Sequence, residues 1–154
     1  MRIALLSKEE YKEGSVKSYI EDLVGSLRNL FSSSTKVTID TRIEDFNLSS
    51  KTLFALGIIV NELITNAMKY AFDEKSGGSI QVFLLKKESH VRLTIQDNGR
   101  GLPEDFALEE AKGFGLTLVK MLCQQVGGSY LIENREETGG TKSILKFKVK
   151  KSSA

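Results

Sequence analysis

Asn61-Glu62-Leu63-Ile64-Thr65-Asn66-Ala67-Met68-Lys69-Tyr70-Ala71-Phe72 is the stretch on which the fold reading turns. It closes a longer apolar-periodic run. Leu53, Leu56, Val60, Leu63, Ile64, Ala67 and Ala71 share one arc of a helical wheel. That pattern predicts a long helix, capped by Ser49 or Ser50 and reaching about Phe72, with this arc against a core. Glu62, Asn66 and Lys69 follow at i, i+4 and i+7 on the opposite arc, with Tyr70 beside them, so an acid, an amide and a base meet on one surface. An amide oxygen is a hard ligand suited to Mg²⁺, and an ammonium acts as a point charge on phosphate. A solvated helix face is the plainer account of the same residues.

Working outward, Ser15 to Phe31 carries a second helical stripe through Val16, Tyr19, Ile20, Leu23, Val24, Leu27 and Leu30, with Ser15 as cap. Lys36 to Ile43 alternates as a strand. After Gly77-Gly78, Ile80 to Leu85 and Val91 to Ile95 read as two strands joined through Lys86 to His90. Asp97 to Lys112 is a long polar loop, and loops of that length are usually functional. Phe114 to Val126 reads as a helix, and Tyr130 to Asn134 and Lys142 to Val149 as a hairpin through Gly139-Gly140. The alternation from Lys146 to Lys151 reads as an edge strand entering a basic tail. Strands in consecutive pairs with helices between them predict an α+β layer, a mostly antiparallel sheet with helices on one face.

Composition narrows the function classes. The chain has 154 residues, 40% hydrophobic and 27% charged, as expected of one globular domain. A net charge of +2 is too small to argue for nucleic acid or an acidic membrane surface. Cys123 has no second cysteine to pair with and fits a reducing compartment as a buried inert thiol. No stretch reaches the length of apolar sequence that spans a bilayer, and Met1 to Leu6 is too short for a signal peptide.

Three glycine-bearing motifs follow the long helix. Asp97-Asn98-Gly99-Arg100-Gly101 comes directly after a strand. A carboxylate there can accept a hydrogen bond from an exocyclic amine, and nearby glycines allow close backbone approach. Gly113-Phe114-Gly115-Leu116 opens a helix, where free N–H groups favour phosphate. It lacks the Gly-Lys-Ser/Thr of a Walker A loop and follows no strand, so it is not a dinucleotide fingerprint. Gly139-Gly140-Thr141 sits in the final hairpin. Each motif alone also reads as an ordinary turn or hinge, and for Gly139-Gly140-Thr141 the plain glycine turn is the better reading in isolation.

Taken in order, these motifs resemble the GHKL ATPase family, which includes histidine kinases, gyrase-type ATPases, Hsp90 and MutL. The resemblance runs from Leu53 to Phe147. Asn61 to Phe72 looks like the N box, Asp97 to Pro103 the G1 box, Gly113 to Val119 the G2 box, and Gly139-Gly140-Thr141 the closing motif. Asn61 to Ala67, Lys69 to Phe72, and Gly101-Leu102-Pro103-Glu104-Asp105-Phe106 are similar to the HisKA_2/HWE-related group of sensor kinases.

The resemblance implies the histidine kinase ATPase-domain fold, an α+β two-layer sandwich. Its mixed, mostly antiparallel sheet of about five strands is covered on one face by about three helices. ATP and Mg²⁺ are the implied cofactors. Asn66 would bind the metal and Asp97 the adenine, with Lys69 and Tyr70 near the nucleotide and Thr141 beside Asp97. Gly99, Gly101, Leu102, Gly113, Phe114, Gly115 and Leu116 complete the implied nucleotide set. The 99–115 segment would be an ATP lid, with Phe106 as its apolar anchor. Glu62, Asn66 and Lys69 are the candidate catalytic residues, since an acid at the Glu62 position is a general base in some relatives.

The implied activity is phosphoryl transfer from ATP to a histidine and onward to a response regulator aspartate. The expected partners are an upstream phosphoacceptor histidine domain, a response regulator and, in the full-length protein, a second copy. Nucleic acid and membrane contact are not expected of this stretch, and its expected location is cytoplasmic. His90, the one histidine, falls at a predicted hairpin turn without an acceptor pattern, so the chain alone is not expected to autophosphorylate. The expected division is an N-terminal segment, 1–34, ending a dimerisation region or packed on the core; a catalytic domain, 35–151; and a tail, 152–154. Two rivals share the motifs: a serine kinase of the anti-sigma-factor type, and a non-enzymatic ATP-binding switch.

Overall fold

The computed structural model describes residues 13–31, 36–73, 77–104 and 116–149. The elements run β1 (Glu13–Ser15), α1 (Val16–Phe31), β2 (Val37–Ile43), β3 (Asn47–Ser49), α2 (Ser50–Tyr70), β4 (Gly78–Lys87), β5 (His90–Asp97), α3 (Leu116–Gln125), β6 (Ser129–Asn134) and β7 (Thr141–Lys148). Five strands form one sheet in the order β2-β4-β5-β7-β6. Among the described residues only the β2–β4 pair of this sheet is parallel, with α2 in the crossover.

The starts of α1 and α2 follow from their serines. Ser15 Oγ accepts the Ser18 N–H at 3.1 Å. Ser49 Oγ accepts the Thr52 N–H at 3.2 Å, satisfying a donor that the first helical turn leaves orphaned. Helix α2 ends at Tyr70, two residues before the sequence-based limit, and Ala71 caps it through its N–H to Ala67.

The register explains the layering. Ile39 pairs Ile80, Val82 pairs Ile95 and Leu84 pairs Leu93, which in turn pairs Leu145. These side chains are buried on one face of the sheet. Against them pack Val16, Ile20, Val24 and Leu27 of α1, Leu56, Ile59, Val60 and Ile64 of α2, and Val119 and Cys123 of α3. Helix α1 therefore belongs to the same core as the sheet. The opposite face carries exposed Asp40, Arg42, Arg92 and Lys146.

Two features depart from the sequence expectation. Strand β1 pairs β3 in a separate two-stranded sheet; three-residue strands are too short to show a period. Strand β7 lies between β5 and β6 rather than at an edge. Its alternating lysines reflect one solvated face, which a central antiparallel strand also has. Among the described residues no helix is long and apolar enough to cross a membrane.

Candidate functional site

A cavity of about 430 Å³ opens beside the C-terminal half of α2, within the roughly 300–1,000 Å³ of small-molecule clefts. Helix α2 lends it Leu63, Asn66, Ala67 and Tyr70, which recur at i, i+3, i+4 and i+7 along one face. A helix turns roughly 100° per residue, so Asn66 stands at the border of the apolar arc rather than opposite it. Glu62 and Lys69 fall farther round, and neither is among the lining residues. Glu62 is half-buried and Lys69 exposed.

The sheet supplies Ile95 and Asp97 from β5, Ile132 from β6, and Thr141 and Ser143 from β7. Asp97 is the last residue of β5 and is 7% exposed. Its Oδ1 accepts the backbone N–H of Gly99 at 2.9 Å and of Thr141 at 3.3 Å. Burial raises the Asp97 pKa above the ordinary carboxyl value. The hydrogen bonds from Gly99 and Thr141 and the Arg135 charge pull it back only in part.

The loop after Asp97 is fastened on three sides. Asn98 Oδ1 accepts the Ser79 N–H at 2.8 Å, tying the loop to β4. The Arg100 N–H donates to Ala71 O at 2.9 Å, tying it to the end of α2. The Leu102 N–H donates to Asn134 Oδ1 at 2.7 Å, tying it to the end of β6. The seats are tight. A Cβ on Gly99 would overlap the Ala71 carbonyl, and one on Gly140 the Asp97 carbonyl. Gly140 also holds φ +97°, which L side chains rarely adopt.

Asn66, Tyr70, Asp97, Gly101, Leu102, Leu116 and Thr141 are thus gathered at one cavity. Gly99 acts on it through the Asp97 carboxylate. Gly113, Phe114, Gly115 and Phe106 lie outside the described residues, as does most of the expected lid. Arg100, Pro103, Ile95, Ile132 and Ser143 also line the cavity. Tyr130 backs Ser143 at 3.0 Å, and burial pushes its hydroxyl up to about 12. Cys123 is buried and free, its thiol raised to about 11 by desolvation, so it is protonated and inert at neutral pH.

A family profile described as histidine kinase-, DNA gyrase B- and HSP90-like ATPase matches residues 53–151. The chain belongs to this ATPase family. The matched span contains every lining residue, from Leu63 to Ser143. The chain is 25% identical over 114 residues to blue-light-activated histidine kinase 2 of Erythrobacter litoralis, covering 73% of this chain and 32% of that protein. It is 31% identical over 104 residues to the sensor histidine kinase PdtaS of Mycobacterium tuberculosis, covering 66% of this chain and 21% of that protein. It therefore spans about a third or less of these curated relatives' length.

The fold is similar to the histidine kinase domain of the Erythrobacter litoralis blue-light activated kinase EL346. The TM-score is 0.79 at 20% identity, over 90% of this chain and 67% of that one. The ATP binding domain of PrrB from Mycobacterium tuberculosis matches at a TM-score of 0.74 and 20% identity, over 92% and 99%. The likeness in fold covers the α+β layering.

Proposed function

We propose that this chain is the ATP-binding catalytic domain of a sensor histidine kinase, passing the γ-phosphoryl of ATP to a histidine on a separate acceptor domain for relay to a response regulator. Residues 35–151 are the nucleotide-binding unit, with α1 packed on its core. The observation that carries the reading is the buried Asp97 carboxylate in a largely apolar cavity. With Oδ1 held by two backbone N–H groups, Oδ2 is the atom offered to the adenine amino group. Ile95, Leu63, Ala67, Leu102 and Ile132 give the flat ring an apolar slot.

Asn66 and Tyr70, which line the cavity from α2, are assigned to the sugar and phosphates, with Lys69 as a phosphate charge. Among the described residues no cluster of three His, Cys, Asp or Glu side chains could hold a metal. The Asn66 amide oxygen, on the cavity wall, is a hard donor that would hold Mg²⁺, an ion that keeps most of its water and needs no protein cage. When bound, it neutralises charge on the phosphates. The chain's own residues bind the base, orient the phosphates and exclude water, which is most of what phosphoryl transfer asks of a protein. Glu62, one turn before Asn66 on α2, is the candidate general base. An ATP substrate and an unpaired buried cysteine support a cytoplasmic location.

Labelled ATP with Mg²⁺ and a histidine-bearing helical acceptor domain supplied in trans tests this. The acceptor should gain base-stable, acid-labile phosphate, and Asn66→Ala should abolish it. Acid-stable phosphate would instead support the serine kinase reading.

A further inference from the structure

We infer that Asn134 and Arg135 are positioning residues for the nucleotide, clasping the loop that carries Asp97 so that its carboxylate meets the base in a fixed place. The inference rests on the reading of Asp97 as the base acceptor and adds two residues from outside the motif set.

The geometry is reciprocal. Arg135 Nη1 donates to the backbone oxygen of Asp97 at 2.8 Å. The Arg135 N–H donates to Gly140 O at 2.9 Å, and the Gly139 N–H to Arg135 O at 3.1 Å. The guanidinium is thereby built into the β6–β7 turn that also places Gly140 against Asp97. One residue earlier, Asn134 Oδ1 takes the Leu102 N–H at 2.7 Å, and Leu102 lines the cavity. The hairpin therefore grips both ends of the segment 97–102.

This grip lies where regular pairing stops. The β5–β7 ladder reaches Gln96 opposite Lys142, and the β6–β7 ladder reaches Asn134 opposite Thr141. Past those rungs Asp97 has no partner in β7 and keeps its place in the sheet only through its pairing with Ile80 of β4. Charge-assisted and amide hydrogen bonds take over, and a guanidinium donor to a carbonyl is among the stronger of these. The Arg135 charge also favours the ionised carboxylate, the form that accepts from an amino group.

Calorimetric titration of ATP, ADP and GTP against wild type, Arg135→Ala, Arg135→Lys, Asn134→Ala and Asn134→Asp tests the clasp, with thermal midpoints measured alongside. Arg135→Ala and Asn134→Ala should weaken ATP and ADP by the same factor, roughly 10-fold, because the clasp acts at the base and not at the phosphates. Arg135→Lys and Asn134→Asp, which keep a donor and an acceptor, should recover most of the loss. Wild-type affinity in folded Arg135→Ala and Asn134→Ala would overturn the inference. So would a loss confined to ATP, or one that tracks a fallen thermal midpoint and is not rescued. If Asp97→Asn also leaves ATP binding intact, the failure lies with the Asp97 reading itself. If Asp97→Asn abolishes binding while the clasp variants bind normally, only the clasp is wrong.

Discussion

Thr141 donates its backbone N–H to Oδ1 of Asp97 at 3.3 Å, across 44 positions of sequence. The contact joins the start of β7 to the end of β5 at the floor of the cavity. Together with the Gly99 N–H, it fixes which carboxylate oxygen faces the protein, and the site's expected behaviour follows from that orientation.

The pH dependence has a defined sign. Burial raises the folded-state pKa of Asp97 above 3.8. The group's contribution to stability is then fully present below pH 3.8 and is lost as pH rises through the raised value. At neutral pH the ionised carboxylate destabilises the empty site. Asp97→Asn, which keeps an acceptor for both N–H groups, should therefore be at least as stable as wild type in thermal unfolding at pH 7, and this advantage should shrink toward pH 4. Nucleotide affinity should fall as acidification protonates Asp97. A large drop in thermal midpoint for Asp97→Asn at pH 7 would contradict this account.

Gly140→Ala places a methyl against the Asp97 carbonyl at φ +97°. The left-handed backbone and the overlap together should cost roughly 2–4 kcal/mol. Urea unfolding should show that loss, and nucleotide binding should weaken because Asp97 must shift. A variant with unchanged midpoint would mean the hairpin gives way freely.

Leu56 is fully buried and does not line the cavity. Leu56→Ala should cost about 2–5 kcal/mol, read as a lower urea midpoint. Affinity for ATP, measured where the variant is folded, should stay within about twofold of wild type.

Much of this was legible in the sequence because it was periodic. The α2 stripe from Leu53 to Ala67 and the Val37–Ile43 alternation each name a buried face. Strands β4 and β5 run longer than expected, since Lys86, Lys87 and His90 are polar and extend the ladder into solvent. Asn66 falls on the polar arc by sequence because hydropathy divides a wheel in two, whereas a cavity sits at the boundary. Asn134 and Arg135 left no local signal: their partners Leu102 and Asp97 lie 32 and 38 positions away. Sheet order alone brings them together.

Glu88 holds φ +57° in the β4–β5 turn, a conformation that costs an L residue roughly 1–2 kcal/mol. Glu88→Gly should relieve part of this and stabilise the fold by about 0.5–1 kcal/mol, offset by the entropy of a freer unfolded chain. Thermal unfolding reads the gain. A lower midpoint would show that the Glu88 side chain contributes more than its backbone strain costs.

Nucleotide selectivity at Asp97 tests the central claim most directly. Calorimetric titration of ATP and GTP, with Mg²⁺, is compared between wild type and Asp97→Asn. Wild type should prefer ATP, because the carboxylate accepts from the adenine amino group and repels the guanine carbonyl. Asp97→Asn should weaken ATP by roughly 10–150-fold, the worth of a charged buried acceptor, about 1.5–3 kcal/mol. Equal affinity for the two nucleotides, unchanged by the substitution, would contradict the account.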